Sequence, residues 1–236
     1  RRFPLLFKPD HAGGGRGIIQ INSEEEFQIH QAANGNNGFE GVYEEFVTGD
    51  LYSLTLWFED GKVLSYYGER EFVDADKFKV NASVTSNIIQ AYLKSLRIPE
   101  TLVEILAEFG LNQGYCHTQL LINRHGPWKI VECTLRLPGD LFPLNAQNFG
   151  SFPYSRMYLH TFQRGKGSLD FPMRAQFPDD SIYGRVMHSC DDSLKNAVKP
   201  FCSYSSHGQQ SKDSYQVSYF KVPKTFDLAD PKSIFE

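Results

Sequence analysis

A run of glycines close to the start constrains this chain more than any other feature. Pro4 to Lys8 reads as a short buried strand, Pro9 to Gly17 as a loop dominated by Gly13-Gly14-Gly15-Arg16-Gly17, and Ile18 to Ile21 as a second short strand. Glycines lack Cβ, so their backbone N–H groups can approach an anion closely, and they adopt φ values closed to other residues. Lys8 brings a compact cation to the strand that enters the loop. The segment therefore reads as a hairpin tip or as a phosphate-binding loop. It is not a Walker A loop, because no Gly-Lys-Ser/Thr closes it, and it is not a dinucleotide fingerprint, because no helix opens at the loop. No kinase-type His-Arg-Asp follows downstream. His11 and Arg16 lie beside the glycines and read as solvated loop residues with phosphate as an alternative partner.

The rest of the chain mixes helices with hairpins. Ser23 and Glu26 form a capping box that opens a helix ended at Asn34-Gly35. Gly41 to Val47 is a strand, and Leu51 to Phe58 alternates and returns through Asp60-Gly61 into Lys62 to Phe72. Helical spacing covers Thr85 to Leu96, and a further helix runs from Pro99 to Phe109 before Gly110. Tyr115 to Ile122 and Trp128 to Leu135 form a second hairpin around Arg124-His125-Gly126-Pro127, and Tyr154 to Phe162 is a helix. Past Gly165 the signals thin to strands at Tyr183–His188 and Tyr215–Lys221, with Ser203 to Ser214 read as polar loop. Antiparallel hairpins with intervening helices predict the α+β class.

Composition removes several functions. A net charge of -4 argues against a nucleic-acid footprint, and the aromatic residues are not interleaved with a basic stripe. No apolar run reaches the ~18–20 residues of a membrane span. The 236 residues can bury a core without staples. The four cysteines, Cys116, Cys133, Cys190 and Cys202, lack CxxC spacing and read as reduced thiols of a cytoplasmic protein. The chain opens Arg1-Arg2-Phe3-Pro4 without Met, so a longer protein is expected.

Two more segments carry chemistry. In Tyr43-Glu44-Glu45-Phe46-Val47-Thr48-Gly49-Asp50 a strand ends in carboxylates, apolar residues and a turn, which could offer backbone groups to an adenine edge and a carboxylate to ribose. In Ile130-Val131-Glu132-Cys133-Thr134-Leu135-Arg136 the alternation puts Glu132, Thr134 and Arg136 on one strand face. A carboxylate and a hydroxyl there suit Mg²⁺, which takes hard oxygen ligands, and Arg136 suits a phosphate or carboxylate. The blander alternative is a surface Glu132–Arg136 ion pair. The partner strand adds His117 and Gln119 of one parity, while Glu69 and Arg70 read as a surface ion pair, with a place facing the site as the alternative.

The order of these parts resembles the ATP-grasp superfamily, over roughly Pro4 to Gly165, and within it the carboxylate–amine ligases of the amino-acid ligase and biotin carboxylase types. The resemblance implies two α+β subdomains that hold ATP. The expected division is a partial lid at 1–42, a C-terminal ATP-binding subdomain at 43–165 and an extension at 166–236, with a further domain upstream. It implies Lys8 on the phosphates, Gly13, Gly14, Gly15, Arg16 and Gly17 as a triphosphate lid, and Glu44, Glu45, Phe46 and Val47 as the adenine hinge. Glu132 becomes a Mg²⁺ ligand, and Arg136 steadies the transferring phosphoryl group or the substrate carboxylate. Small-molecule acids and amines are the implied substrates, and a homodimer fits the resemblance. Three positions depart from the pattern. Gln119 stands where an acidic metal ligand is usual, Thr134 where Asn is frequent, and Leu51 where the ribose acid is common, which leaves Asp50 for that role. A non-catalytic nucleotide-binding module is the alternative these departures keep open.

Overall fold

The structure, a computed structural model, describes residues 1–35, 40–74, 78–123, 126–139, 142–162, 172–189, 202–210 and 213–222. The chain forms two compact units, Arg1–Gly49 with Val73–Val80, and Asp50–Phe72 with Asn81–Glu236. This differs from the division read from the sequence: the first boundary follows Gly49 rather than residue 42, a distant segment joins the first unit, and the strands past 165 belong to the second.

The first unit is built on β1 (Leu5–Pro9), β2 (Ile19–Ile21), α1 (Glu24–Gly35) and β3 (Gly41–Glu45). β1 lies between the other two strands, antiparallel to both. Phe7, Ile21 and Phe27 form its buried core, with Tyr43 packed against it. The helix begins as its capping residues require: Ser23 Oγ accepts the Glu26 N–H at 3.1 Å. The Glu26 carboxylate reaches back to the N–H of Asn22 at 2.7 Å, one residue before the cap.

The second unit is an eight-stranded sheet in the order β10-β11-β9-β6-β5-β4-β7-β8. Its strands are β4 (Asp50–Glu59), β5 (Lys62–Asp74), β6 (Lys79–Thr85), β7 (Gly114–Ile122), β8 (Lys129–Thr134), β9 (Ile182–Ser189), β10 (Cys202–Gln210) and β11 (Asp213–Val222). Asp60 and Gly61 turn the β4–β5 hairpin at φ of 50° and 71°, the conformation that Asp-Gly favours. Alternation along β4 sorts the faces. Leu54, Leu56 and Phe58 join the core that includes Leu93, Ile98, Leu102 and Leu106 of α2 (Asn87–Ser95) and α3 (Ile98–Glu108). Trp57 packs on the other side with Phe142, Ala146, Tyr154 and Met157 of α4 (Phe142–Phe149) and α5 (Tyr154–Phe162). Gly110, at φ 77°, ends α3: its N–H bonds Ala107 O at 2.8 Å while Leu111 bonds Leu106 O at 3.0 Å, the Schellman arrangement that spares the last carbonyls.

Three elements were not foreseen. β6 carries a strict polar–apolar alternation from Lys79 to Thr85 that marks a strand, α4 is short and holds Pro143, and the polar stretch read as loop at Ser203–Ser214 holds most of β10 and the start of β11. There the ladder with β11 supplies the backbone hydrogen bonds that make a strand of a Ser- and Gln-rich sequence. The hairpin tip at Arg124-His125 lies outside the described residues. No helix among the described residues is long and apolar enough to cross a membrane.

Candidate functional site

In the first unit the loop after β1 is held open by its glycines. Gly14, Gly15 and Gly17 have φ of 66°, 76° and 73°, the left-handed region that side chains resist. Gly13 has open space where a Cβ would stand, whereas a Cβ on Gly17 would come within 3.0 Å of Pro9 Cγ. Arg16 folds back, donating Nε–H to Gly13 O at 3.0 Å. The loop borders a hollow of about 370 Å³ lined by Gly14, Gly15, Arg16, Gly17, Phe78 and Lys79. Lys79 was missed in the sequence: it lies far along the chain at the start of a strand whose alternation from Lys79 to Thr85 marks the strand but not its place, and only folding returns it to the glycines.

Lys8 and Glu44, read separately as a phosphate contact and a hinge acid, form an ion pair at 2.6 Å with side-chain exposures of 22% and 39%. Leu6 faces Glu44 and Lys8 faces Val42 across β1 and β3, so the pair is a diagonal one. Glu45 is exposed at the strand end. The Phe46 N–H is already committed to Pro4 O at 3.1 Å. Val47 follows outside the strand with no backbone partner for its N–H among the described residues.

In the second unit the antiparallel register sets Gln119 opposite Glu132 and His117 opposite Thr134. Glu132 is exposed and makes no ion pair or hydrogen bond among the described residues. Gln119 donates Nε2–H to Glu71 Oε2 at 2.6 Å. A carboxylate can only accept, so this bond fixes the amide and turns Oε1 away from Glu71. Thr134 donates weakly to His117 O at 3.4 Å, which leaves its oxygen able to coordinate. His117 is buried and its Nδ1 is 2.8 Å from Thr55 Oγ1, which continues to the Tyr154 and Tyr115 hydroxyls. It is thus tied into a structural chain of hydrogen bonds. Burial pushes the Tyr115 hydroxyl up to about 12. Arg136 lies past the end of β8, exposed, with Nη1 donating to Leu137 O at 2.9 Å, and it forms no pair with Glu132. Asp50 accepts from Arg70 Nη2 at 2.9 Å.

Glu69 corrects the surface-pair reading. It is fully buried, accepting from Tyr67, Ser83, Asn145 and Arg185. Arg185 is 1% exposed and also stands 4.0 Å from Glu71. Ser53, the register partner of both Gln119 and Glu69, holds a buried Oγ with no hydrogen-bond partner among the described residues. Strand parity carried a signal for Glu71, since Glu69 and Glu71 share a face of β5. Its approach to Gln119 across β4 was not readable, because sheet order is a tertiary choice.

Among the described residues no group of three or more His, Cys, Asp or Glu side chains could hold a metal. Mg²⁺ uses one or two protein oxygens and completes its shell with water and substrate phosphate. Glu132, Gln119 and Thr134 carry oxygens of this kind on one face of the β7–β8 pair, a donor set compatible with this ion.

The sequence matches the ATP-grasp domain over residues 1–143, and the chain belongs to the ATP-grasp family. No curated protein sequence matches it. Among solved structures, the L-amino acid ligase from Bacillus licheniformis is similar at TM-score 0.66 and 14% identity, covering 93% of this chain and 59% of that one. The N5-carboxyaminoimidazole synthetase from Staphylococcus aureus, complexed with ADP, is similar at TM-score 0.66 and 17% identity, covering 99% and 61%. Biotin carboxylase from Campylobacter jejuni is similar at 0.59 and 13% identity, covering 92% and 54%. The chain thus spans less than two thirds of these relatives, and the likeness establishes an α+β fold of the ATP-grasp kind.

Proposed function

We propose that this chain is the ATP-binding portion of an ADP-forming ligase that joins a small-molecule carboxylate to an amine through an acyl phosphate. The observation that carries the reading is Gln119 set opposite Glu132 on a strand pair of an ATP-grasp chain. The structural relatives include a ligase and a synthetase complexed with ADP, which supports it.

In the first unit, backbone N–H groups of Gly13 to Gly17, with Arg16, Lys8 and Lys79, would bind the triphosphate. Glu44 would hold the Lys8 ammonium in place. Glu44, Glu45, Phe46 and Val47 would frame the adenine, with the Val47 N–H donating, since that of Phe46 is committed. Asp50, braced by Arg70, would accept from the ribose. In the second unit Glu132, Gln119 and Thr134 would hold Mg²⁺, which neutralises phosphate charge. Arg136 would orient the substrate carboxylate or steady the transferring phosphoryl group. A carboxylate oxygen attacks the γ-phosphorus and ADP leaves; the amine nitrogen then attacks the acyl carbon and phosphate leaves. An upstream domain, a cytoplasmic location and a homodimer belong to the same proposal.

The test is a screen of acids and amines with the full-length protein, ATP and Mg²⁺, using hydroxylamine to trap the acyl phosphate as a hydroxamate. ADP release that depends on the acid is expected. Arg136→Ala should lower kcat by roughly 10²–10³. Release of AMP and pyrophosphate, or hydroxamate formation without ATP, would sink the reading. A second reading, a nucleotide-binding module without turnover, is favoured by the neutral Gln119. Calorimetric binding of ATP that is indifferent to Mg²⁺, with no turnover, would select it.

A further inference from the structure

We propose that Cys116 and Cys133 form an oxidisable dithiol site, closed to a disulfide by peroxide-class oxidants. The two cysteines lie 17 residues apart in sequence, and their sulfurs stand 3.1 Å apart. The register explains the meeting. Cys133 faces Thr118 across β7 and β8, and Cys116 is two residues along β7 on the same face, so the thiols are diagonal neighbours. Cys116 Sγ also lies 3.1 Å from Thr118 Oγ1. This face packs on α2 and α3, opposite to the one that carries Gln119 and Glu132.

The two thiols differ in access. Cys116 is fully buried in the apolar core, whereas Cys133 is exposed on the edge strand β8. That asymmetry orders the chemistry. The Cys133 sulfur attacks one peroxide oxygen, the O–O bond breaks, and Cys133 becomes a sulfenic acid while water leaves. The Cys116 sulfur then attacks the Cys133 sulfur; the S–S bond forms, the S–O bond breaks, and the hydroxyl leaves as water with the Cys116 proton. In sum two thiols lose two electrons to one hydrogen peroxide, giving one disulfide and two waters. The sulfurs have about 1 Å to close to reach the ~2.05 Å of the bond. The buried thiol is reached through its neighbour alone, which protects the exposed sulfur from the irreversible higher acids.

The experiment treats the folded chain with hydrogen peroxide, alkylates it under denaturing conditions, and maps it by mass spectrometry without reduction. A linked pair of peptides bearing Cys116 and Cys133, lighter by two hydrogens and separated by dithiothreitol, is expected. Prior alkylation of native wild type with iodoacetamide should label Cys133, leave Cys116 unlabelled and abolish the link. This arm does not depend on whether a variant folds. Cys133→Ser should leave Cys116 reduced under the same dose. Cys133 driven to sulfinic or sulfonic acid while Cys116 stays free, or a link from either thiol to Cys190 or Cys202, would overturn the proposal.

Discussion

The glycine loop and the face of the sheet around Gln119 present their candidate groups by opposite means. The loop is open and its shape is a backbone property: left-handed φ at Gly14, Gly15 and Gly17, and few side-chain contacts. The sheet face is a side-chain property. Glu69, Glu71, Gln119 and Arg185 come from three separate strands and are held by one another in a largely buried network. The loop is cheap to assemble and free to adapt to a ligand; the network is costly to break and keeps its oxygens in place. The comparison teaches where mutational damage should fall.

The largest effect is expected in the network. Glu69→Ala removes the carboxylate 3.2 Å from Arg185, 1% exposed, and leaves a buried guanidinium with Glu71 farther off at 4.0 Å, and should lower the unfolding free energy in urea by about 3–5 kcal/mol. A loss below about 1 kcal/mol would mean that water reaches Arg185 and that the network is looser than its burial implies.

In the loop the expected effects are smaller and depend on φ. Gly17→Ala forces a left-handed alanine against Pro9 and should cost ~1–2 kcal/mol in the same measurement. Gly13→Ala meets open space and should stay within ~0.5 kcal/mol of wild type. Equal costs at both sites would erase the distinction between a backbone-shaped loop and an ordinary one.

A modest effect that appears only with pH sharpens the comparison by joining charge to the network. Gln119→Glu puts a second carboxylate at hydrogen-bond distance from Glu71, in place of the present 2.6 Å amide contact. Without cation the pair would share a proton, with one carboxyl raised above its unfolded value. The folded state then binds more protons than the unfolded state, so stability falls as pH rises through that raised value. In EDTA, the variant should lose on the order of 1 kcal/mol between pH 5 and pH 8 relative to wild type, and Mg²⁺ should restore it. A pH-independent difference would show that Glu71 and residue 119 do not sense each other. The Cys133 thiol nearby is lowered to about 6 by its hydrogen bond with Cys116. It should be followed in parallel by its alkylation rate, so that its own titration is not mistaken for that of the carboxylates.

Much of the fold was legible. Asp60-Gly61, the Ser23–Glu26 pair and the alternation along β4 each encode a local conformation through turn chemistry, capping or a period of two, and each element formed where these signals lay. α4 and β10 were not legible, because their sequences lack a clear period and owe their form to neighbours, whereas the alternation from Lys79 to Thr85 does mark β6 as a strand.

The same divide runs through the site. The sequence alone determined that a lysine, a glycine loop, a hinge-like acidic strand end and a Glu-x-x-x-Arg segment follow one another, because each is a contiguous motif whose chemistry is carried by adjacent residues. Only the tertiary structure decided that Lys8 pairs with Glu44, that Lys79 returns to the glycines, that Glu71 fixes the Gln119 amide, and that Cys116 meets Cys133. Those contacts depend on strand order and register, which cooperative packing of the whole sheet selects and no local signal encodes.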